Sequence, residues 1–184
     1  MPAQPQDIIG FWRSAGPAKW FAKNANFDDV IRLKFEAVHH AAARGQYDDW
    51  CADPEGALAL ILLLDQFPRN LYRKSAHALA TDPMALKVAR QAVARGFDVQ
   101  IEAGLRAFVY MPLEHSEDLE DQEACVQLMT RLEAETGDGE PLRYAMVHLD
   151  VIARFGRFPH RNPALARETT PAERAFLEDG GFSG

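Results

Sequence analysis

Apolar residues recur every three to four positions along most of the chain, which is the spacing of amphipathic α-helices. The clearest run lies between Phe27 and Ala42 and stops before Gly45, so the pattern predicts one helix there. The same spacing predicts further helices over residues 54–66, 83–95, 117–135 and 141–155. Because no alternating run of useful length indicates a β-strand, the pattern predicts an all-α fold of about seven to nine helices.

Several helix starts are predicted by a capping side chain placed directly before a proline, which loses no hydrogen bond at the first helical position. Thr170 and Glu173 in addition fit the capping box, which predicts a short last helix ending near Gly180 and a frayed tail within residues 170–184. The dipeptides of this form are Asp53-Pro54, Asp82-Pro83 and Thr170-Pro171.

Phe-Pro occurs twice, in LDQFPRNLYR (64–73) and in RFGRFPHRN (154–162). A proline disfavours helical geometry in the residue before it, here Phe67 and Phe158. Since the sequences around the two copies do not match, we interpret them as two helix exits and not as an internal repeat.

Length and charge exclude several classes of protein. The 184 residues suit a single domain, and 20 basic against 27 acidic residues give a net charge of −7, which disfavours binding to nucleic acid or to anionic membranes. The longest apolar run, residues 57–64, is far shorter than the ~20 residues of a membrane span. With two cysteines in no metal-binding spacing and no secretory signal in MPAQPQDIIGFW, we expect a cytoplasmic protein without a cofactor.

The first candidate for chemistry is Asp65, a carboxylate directly after an apolar run. A buried carboxylate requires a partner, and Arg69 follows four positions later. Asp65 either forms a structural tie with Arg69 or orients Arg69 toward an anionic ligand.

The second candidate is the segment YMPLEHSED (110–118). Ser116 is a typical N-cap, and the acids that follow it complement a helix N-terminus without needing a further function. Glu114 and His115 precede the cap, and we expect them in a turn where a histidine near a carboxylate can act as a general base or acid. A solvent-facing or backbone-bonded pair is the structural alternative.

The third candidate is a stretch that is basic although the chain is acidic. Residues 151–167 contain no acid, and Asp150 can pair with Arg154 at helical spacing and leave Arg157 to bind a ligand. His148 lies earlier on the same helix and is either a hydrogen-bonded core residue or a catalytic one. The basic residues of the stretch are Arg154, Arg157, His160, Arg161 and Arg167.

Other sequence motifs that are typical of catalytic or metal sites are incomplete or absent. Glu36 and His39 have the spacing of a di-iron motif, but no second copy exists, and we predict no metal site. Cys125 lies in mid-helix, where its pKa is raised and its reactivity is low. No phosphate loop, dinucleotide-binding motif or serine hydrolase motif is present.

Three long segments, together with the early GFW and KWF, resemble the bacterial domain of unknown function family numbered 924. The segments are LLLDQFPRNLYR (62–73), YMPLEHSED (110–118) and ARFGRFPHRN (153–162). The resemblance covers nearly the whole chain, and it implies a helical, TPR-like fold and no established activity.

Two functions follow as hypotheses. The first is a pocket for a small anionic molecule, with hydrolase or lyase chemistry as one form of it, because arginines bind carboxylate or phosphate through paired donors. The second is a non-enzymatic TPR-like scaffold that binds a peptide or protein partner. RNA binding through the basic stretch is disfavoured by the net charge. For the first hypothesis the candidate catalytic residues are Glu114, His115 and His148, and the candidate ligand-binding residues are Asp65, Arg69, Asn70, Arg154, Arg157, His160, Arg161 and Asn162.

Overall fold

A computed structural model describes residues 3–183, which form helices and turns with no β-strand among them. The all-α class is therefore confirmed, and with Pro54–Leu71 counted as one continuous helix the described residues form nine α-helices. The TPR-like arrangement stays a prediction. The α-helices are α1 (Pro5–Ala15), α2 (Pro17–Trp20), α3 (Ala25–Ala43), α4 (Pro54–Ile61), α5 (Phe67–Leu71), α6 (Asp82–Ala94), α7 (Ala103–Glu114), α8 (Leu119–Thr136), α9 (Glu140–Phe155) and α10 (Pro171–Glu178).

Contacts between residues divide the chain into two compact units, the first ending at Pro112 and the second beginning at Leu113. The core of the first unit is aromatic: the ring of Trp12 lies 5.6 Å from Phe67 and 5.5 Å from Phe108. In the second unit α8 packs against α9, and a smaller core forms around Val151, Ile152 and Phe158. The prediction that the whole chain is one domain stays a prediction.

The helix predicted to stop at residue 66 continues to Leu71, so the first Phe-Pro is not a helix exit. Phe67 has helical backbone angles (φ −62°, ψ −41°), and Leu62–Gln66 forms one π-helical turn between α4 and α5. The second Phe-Pro is an exit as predicted, because Phe158 is extended (φ −87°, ψ 106°). The helix tolerates Pro68 because the carbonyl groups that lose their backbone donor accept hydrogen bonds from other donors.

Side chains donate to three successive carbonyl oxygens of the π-turn. Pro68 has no N–H, so the carbonyls four and five residues before it cannot receive their usual backbone hydrogen bond. The segment LDQFPRN is thereby explained as a helix that changes pitch around a proline. The donors are His39 Nδ1 to Leu63 (2.8 Å), Thr81 Oγ1 to Leu64 (2.6 Å) and Arg69 Nη1 to Asp65 (2.8 Å).

Two of the predicted caps are confirmed, those formed by Asp53 and by Thr170, the latter with a full capping box through Glu173. The prediction for Asp82 is wrong, because this residue lies inside α6 and pairs with an arginine. The prediction for Ser116 is also wrong, since Asp118 caps α8 by accepting from the N–H of Glu120 at 2.8 Å. In both cases the sequence offers two capping residues within three positions, Thr81 and Asp82 or Ser116 and Asp118, and the local pattern does not distinguish them.

No helix among residues 3–183 combines the length with the apolar character that a membrane crossing requires.

Candidate functional site

The candidate residues of the first unit are held by carboxylates of the same unit. Asp65 is fully buried, and Arg69 Nη1 lies 3.1 Å from its side chain and 2.8 Å from that of Asp82. Asn70 donates to Asp28 at 2.8 Å, and Asp28 also receives Arg73 at 2.6 Å. Burial tends to raise the pKa of Asp28, but the hydrogen bonds from Arg73 and Asn70 lower it overall. These contacts match the structural alternative for Asp65 and Arg69.

Arg157 of the second unit is tied to a buried carboxylate. Its Nη2 donates to Glu173 at 2.9 Å, its Nε donates to the other carboxylate oxygen, and it also reaches the carbonyl of Glu168. These hydrogen bonds, supported by the Thr170 cap, lower the pKa of Glu173 to about 2. Asn162, fully buried, donates to the same carboxylate at 3.3 Å. Both residues therefore anchor α10.

Two further arginines of the basic stretch also form ion pairs. Arg154 pairs with Asp150 at 3.3 Å, the helical pairing anticipated from the sequence. Arg167 pairs with Glu117 through two hydrogen bonds of 2.8 and 2.9 Å, and Glu117 accepts the N–H of Phe158 as well. Sequence reasoning assigned Glu117 only to the helix N-terminus, because its partners lie more than 40 positions away along the chain.

The remaining candidates of the second unit converge on one cluster, which we call the histidine cluster and define as Glu114, His115, His148, His160 and Arg161. The rings of His115 and His148 lie 6.2 Å apart, and Arg161 Nη1 donates to the carbonyl of His115 at 2.9 Å. The ring of Phe158 contacts three members of the cluster. Its centre lies 5.4 Å from the His148 ring, 5.6 Å from the His160 ring and 4.3 Å from the Arg161 guanidinium.

His148 has a defined tautomer within this cluster. Its Nδ1 lies 2.9 Å from the carbonyl of Tyr144 and 3.3 Å from Glu114 Oε1. A carbonyl only accepts, so Nδ1 carries the proton, and Nε2 of the neutral ring is the atom that can accept one. Glu114 thus contacts His148. The sequence had suggested His115 as the partner of Glu114, but residues adjacent in a chain seldom face one another.

The electrostatic environment keeps His148 neutral. Burial lowers its pKa to about 3, and the positive charges of His115, Arg161 and His160 act in the same direction, against the hydrogen bond to Tyr144. His115, His160 and Arg161 supply positive charge around this ring in a chain whose net charge is −7, and Glu114 is the carboxylate of the cluster, 3.3 Å from Nδ1. A site of this kind favours a negatively charged ligand.

Gln122 of α8 holds the end of α7 and the turn that follows it; His115 lies in this turn as predicted, but the prediction for Glu114 is wrong, because Glu114 is the last residue of α7. The Gln122 side chain is fully buried, and its amide nitrogen lies 2.6 Å from the carbonyl of Glu114 and 2.7 Å from that of Ser116. Cys125, one turn further along α8, is fully buried, and burial raises its thiol pKa well above the ordinary value. That agrees with the low reactivity expected from the sequence.

Phe182 packs against the histidine cluster, a contact that the sequence did not reveal. It follows α10 in the tail expected to be frayed, yet its ring lies 4.4 Å from His148 and 5.2 Å from His160. A single aromatic residue between glycine and serine gives no periodic signal, so sequence reasoning could not have selected it.

The other three of the six histidines surround Tyr72 in the first unit. His39, His40 and His77 have ring centres 6.0, 6.3 and 5.7 Å from that of Tyr72. The Tyr72 hydroxyl contacts Glu36 and His40 at 3.0 and 3.1 Å, and burial together with Glu36 raises its pKa. These contacts fix the exit of α5, and no residue of this group was a candidate for catalysis.

The surface of the second unit carries an open, mostly apolar groove of about 430 Å³ beside the histidine cluster. Val147 and Val151 of α9 line it together with Phe182. Phe182 therefore lines the groove and also contacts two histidines of the cluster. The other residues of the groove are Arg143, Met146, Asp150 and Phe176.

Comparisons with known proteins place the chain among proteins without an assigned activity. The sequence model of a family described as "Bacterial protein of unknown function (DUF924)" matches residues 8–181. A solved protein of unknown function from Agrobacterium tumefaciens is similar, with 48% identity, a TM-score of 0.91, and coverage of 96% of this chain and 97% of that one. A search of curated proteins finds no significant match.

Proposed function

The chain belongs to the DUF924 family of bacterial proteins of unknown function, and we propose that its histidine cluster binds a small anion and moves a proton to or from it. The observation that carries the proposal is the convergence of three histidines and Arg161 on one positive site in the second unit. The proposal concerns this unit alone and does not include Asp65, Arg69 or Asn70.

Charge repulsion within the cluster supports anion binding. The positive charges of His115, Arg161 and His160 disfavour a proton on His148. A carboxylate or phosphate among these groups offsets that repulsion, and imidazolium and guanidinium groups donate strong hydrogen bonds to such oxygens. Binding energy thus comes from relief of repulsion as well as from new hydrogen bonds.

Acid–base chemistry follows from the Glu114–His148 pair. A histidine with a pKa of about 3 is a weak base at neutral pH, and a general base works best with a pKa near the working pH. A bound anion raises the pKa of His148 toward the working pH, so the ring is a stronger base when the ligand is present. This is the form of hydrolase or lyase chemistry that the cluster supports.

The competing proposal is the helical scaffold for a peptide or protein partner. Its support is the internal pairing of Arg154 with Asp150 and of Arg157 with Glu173, which leaves these arginines a structural role. A scaffold of this kind predicts no effect of small anions on stability.

Thermal unfolding at pH 6 separates the two proposals. Wild-type protein and His160→Gln are compared in phosphate, nucleotides, small carboxylates and chloride of equal ionic strength. Binding to the native state adds about 2.7 kcal/mol at 100 times the Kd, so one anion class should raise the Tm of the wild type by several degrees. The shift should be lost in His160→Gln.

His77→Gln is the matched control, because His77 is an exposed histidine of the first unit and its replacement should preserve the shift. A shift of equal size in wild type and His160→Gln would place the anion outside the cluster and contradict the proposal. No shift with any anion would favour the scaffold.

A further inference from the structure

Phe182 occupies the position between the histidine cluster and the apolar groove. Its ring centre lies 4.4 Å from that of His148, with the two planes tilted by 59°, and 5.2 Å from His160 and 6.4 Å from Phe158 in edge-to-face geometry. The same side chain lines the groove together with Val147 and Val151. Because the ring of Phe182 lies against His148 and also lines the groove, withdrawal of this one ring would join the groove to the cluster.

The backbone around Phe182 is suited to such a withdrawal. The C-terminal turn of α10 closes through hydrogen bonds from Gly180 to Leu177 and from Gly181 to Phe176, with Gly180 in the left-handed region (φ 80°). Phe182 follows this turn outside the helix and is only partly buried. The ring is therefore held mainly by side-chain contacts and can be exchanged for another apolar group at modest cost.

We infer that Phe182 is a placeholder for the apolar group of the ligand, and that the histidine cluster takes an anion that carries an aromatic or branched aliphatic group. This inference rests on the proposed function, because the anionic end needs the cluster. The apolar end would lie in the groove on Val147 and Val151, where Phe182 now packs.

The chemistry of the surroundings fits an amphiphilic anion better than a fully polar one. The groove is mostly apolar, and Phe182 already packs beside it against the rings of His148 and Phe158, so an aromatic group in its place would meet the same rings. A volume of about 430 Å³ is in the range of small-molecule sites. Inorganic phosphate would fill the cluster and leave the groove unused.

The test compares two probes with the same head group, methylphosphonate and phenylphosphonate, by calorimetric titration of the full chain. Wild-type protein must displace its own ring to accept the phenyl group, whereas Phe182→Ala does not. Burying one phenyl group is worth about 1.5–3 kcal/mol, so phenylphosphonate should bind Phe182→Ala at least about tenfold more tightly than wild type. The affinity for methylphosphonate should stay within about threefold.

Phe155→Ala is the matched control, because Phe155 packs against the same core and pairs with Phe176 at 5.0 Å. It should leave the ratio of the two affinities unchanged. If Phe182→Ala does not fold, Phe182→Leu keeps an apolar side chain while removing the ring, and a gain for phenylphosphonate is again expected.

Each outcome decides a different claim. A gain specific to phenylphosphonate and to the Phe182 variants supports the placeholder. Binding of both phosphonates without that gain overturns the inference and leaves the proposed function standing. Binding of neither phosphonate to any of the proteins overturns both.

Discussion

Arg157 and Glu173 form a bidentate ion pair in which Nε and Nη2 of the guanidinium each donate to one carboxylate oxygen. The carboxylate is buried, and the arginine is partly exposed. A buried carboxylate that loses its partner is strongly destabilising, so this pair is an anchor for α10.

We expect Arg157→Ala to lower the Tm by at least about 5 °C, because Glu173 would remain buried without its main partner. Arg154→Ala is the matched control on the adjacent stretch, since its pair with Asp150 is exposed and should contribute little. The measurement is thermal unfolding by circular dichroism. Equal small losses in the two variants would contradict the assignment of Arg157 as an anchor.

The π-turn makes a prediction about Thr81, which donates to the carbonyl of Leu64 at 2.6 Å. Thr81→Val keeps the shape of the side chain and removes the donor, which should cost about 1–3 kcal/mol in urea unfolding. Thr130→Val is the control, because Thr130 is an exposed residue that donates to a carbonyl of its own helix, and its loss should cost less than about 0.5 kcal/mol. If both variants lose the same stability, the carbonyl of Leu64 does not depend on Thr81.

His148 gives the protein a stability that depends on pH. Its pKa is lowered from 6.5 to about 3, so between these values the unfolded chain binds a proton that the folded chain does not. The contribution is complete above pH 6.5 and is lost as the pH falls toward 3, by about 2 kcal/mol at pH 5.

Urea unfolding at pH 7.5 and pH 5 should therefore show a smaller loss for His148→Gln than for the wild type. Burial also lowers the pKa of His39, which contributes to both proteins with the same sign, so the difference between them isolates His148. Identical losses would show that His148 titrates normally.

The two thiols should react at different rates. Cys125 is fully buried with a strongly raised pKa, whereas Cys51 is only partly buried, although burial raises its pKa as well. In native protein a disulfide reagent should label Cys51 slowly and Cys125 only on unfolding. Simultaneous labelling of both thiols without denaturant would contradict the burial of Cys125.

Helical periodicity was sufficient to predict the fold class and most helix positions, because an amphipathic pattern is a local property of the chain. It failed at Phe67-Pro68, where the helix continues because His39 and Thr81 supply donors from 24 and 17 positions away. A local rule for the residue before proline cannot include such partners. At Phe158 no comparable donor is needed, and the rule holds.

In the candidate site, too, the sequence predicted which residues take part but not their long-range contacts. Glu114, His115, His148 and His160 could be selected from the sequence as residues capable of acid–base chemistry, but not the contact between Glu114 and His148. From the sequence Arg157 was expected to be available for a ligand, because its partner Glu173 lies 16 positions later, in α10. Long-range pairing therefore decides which charged residues anchor the fold and which form the cluster.

The most direct test of anion binding at the histidine cluster is to measure the pKa of His148 by NMR of its ring, once in chloride and once in phosphate of equal ionic strength. A negative charge within about 5 Å of the ring should raise the pKa of His148 from about 3 to about 4 or higher. An increase confined to His148 and its neighbours would establish an anion at the cluster. The same pKa of His148 in both salts would contradict anion binding there.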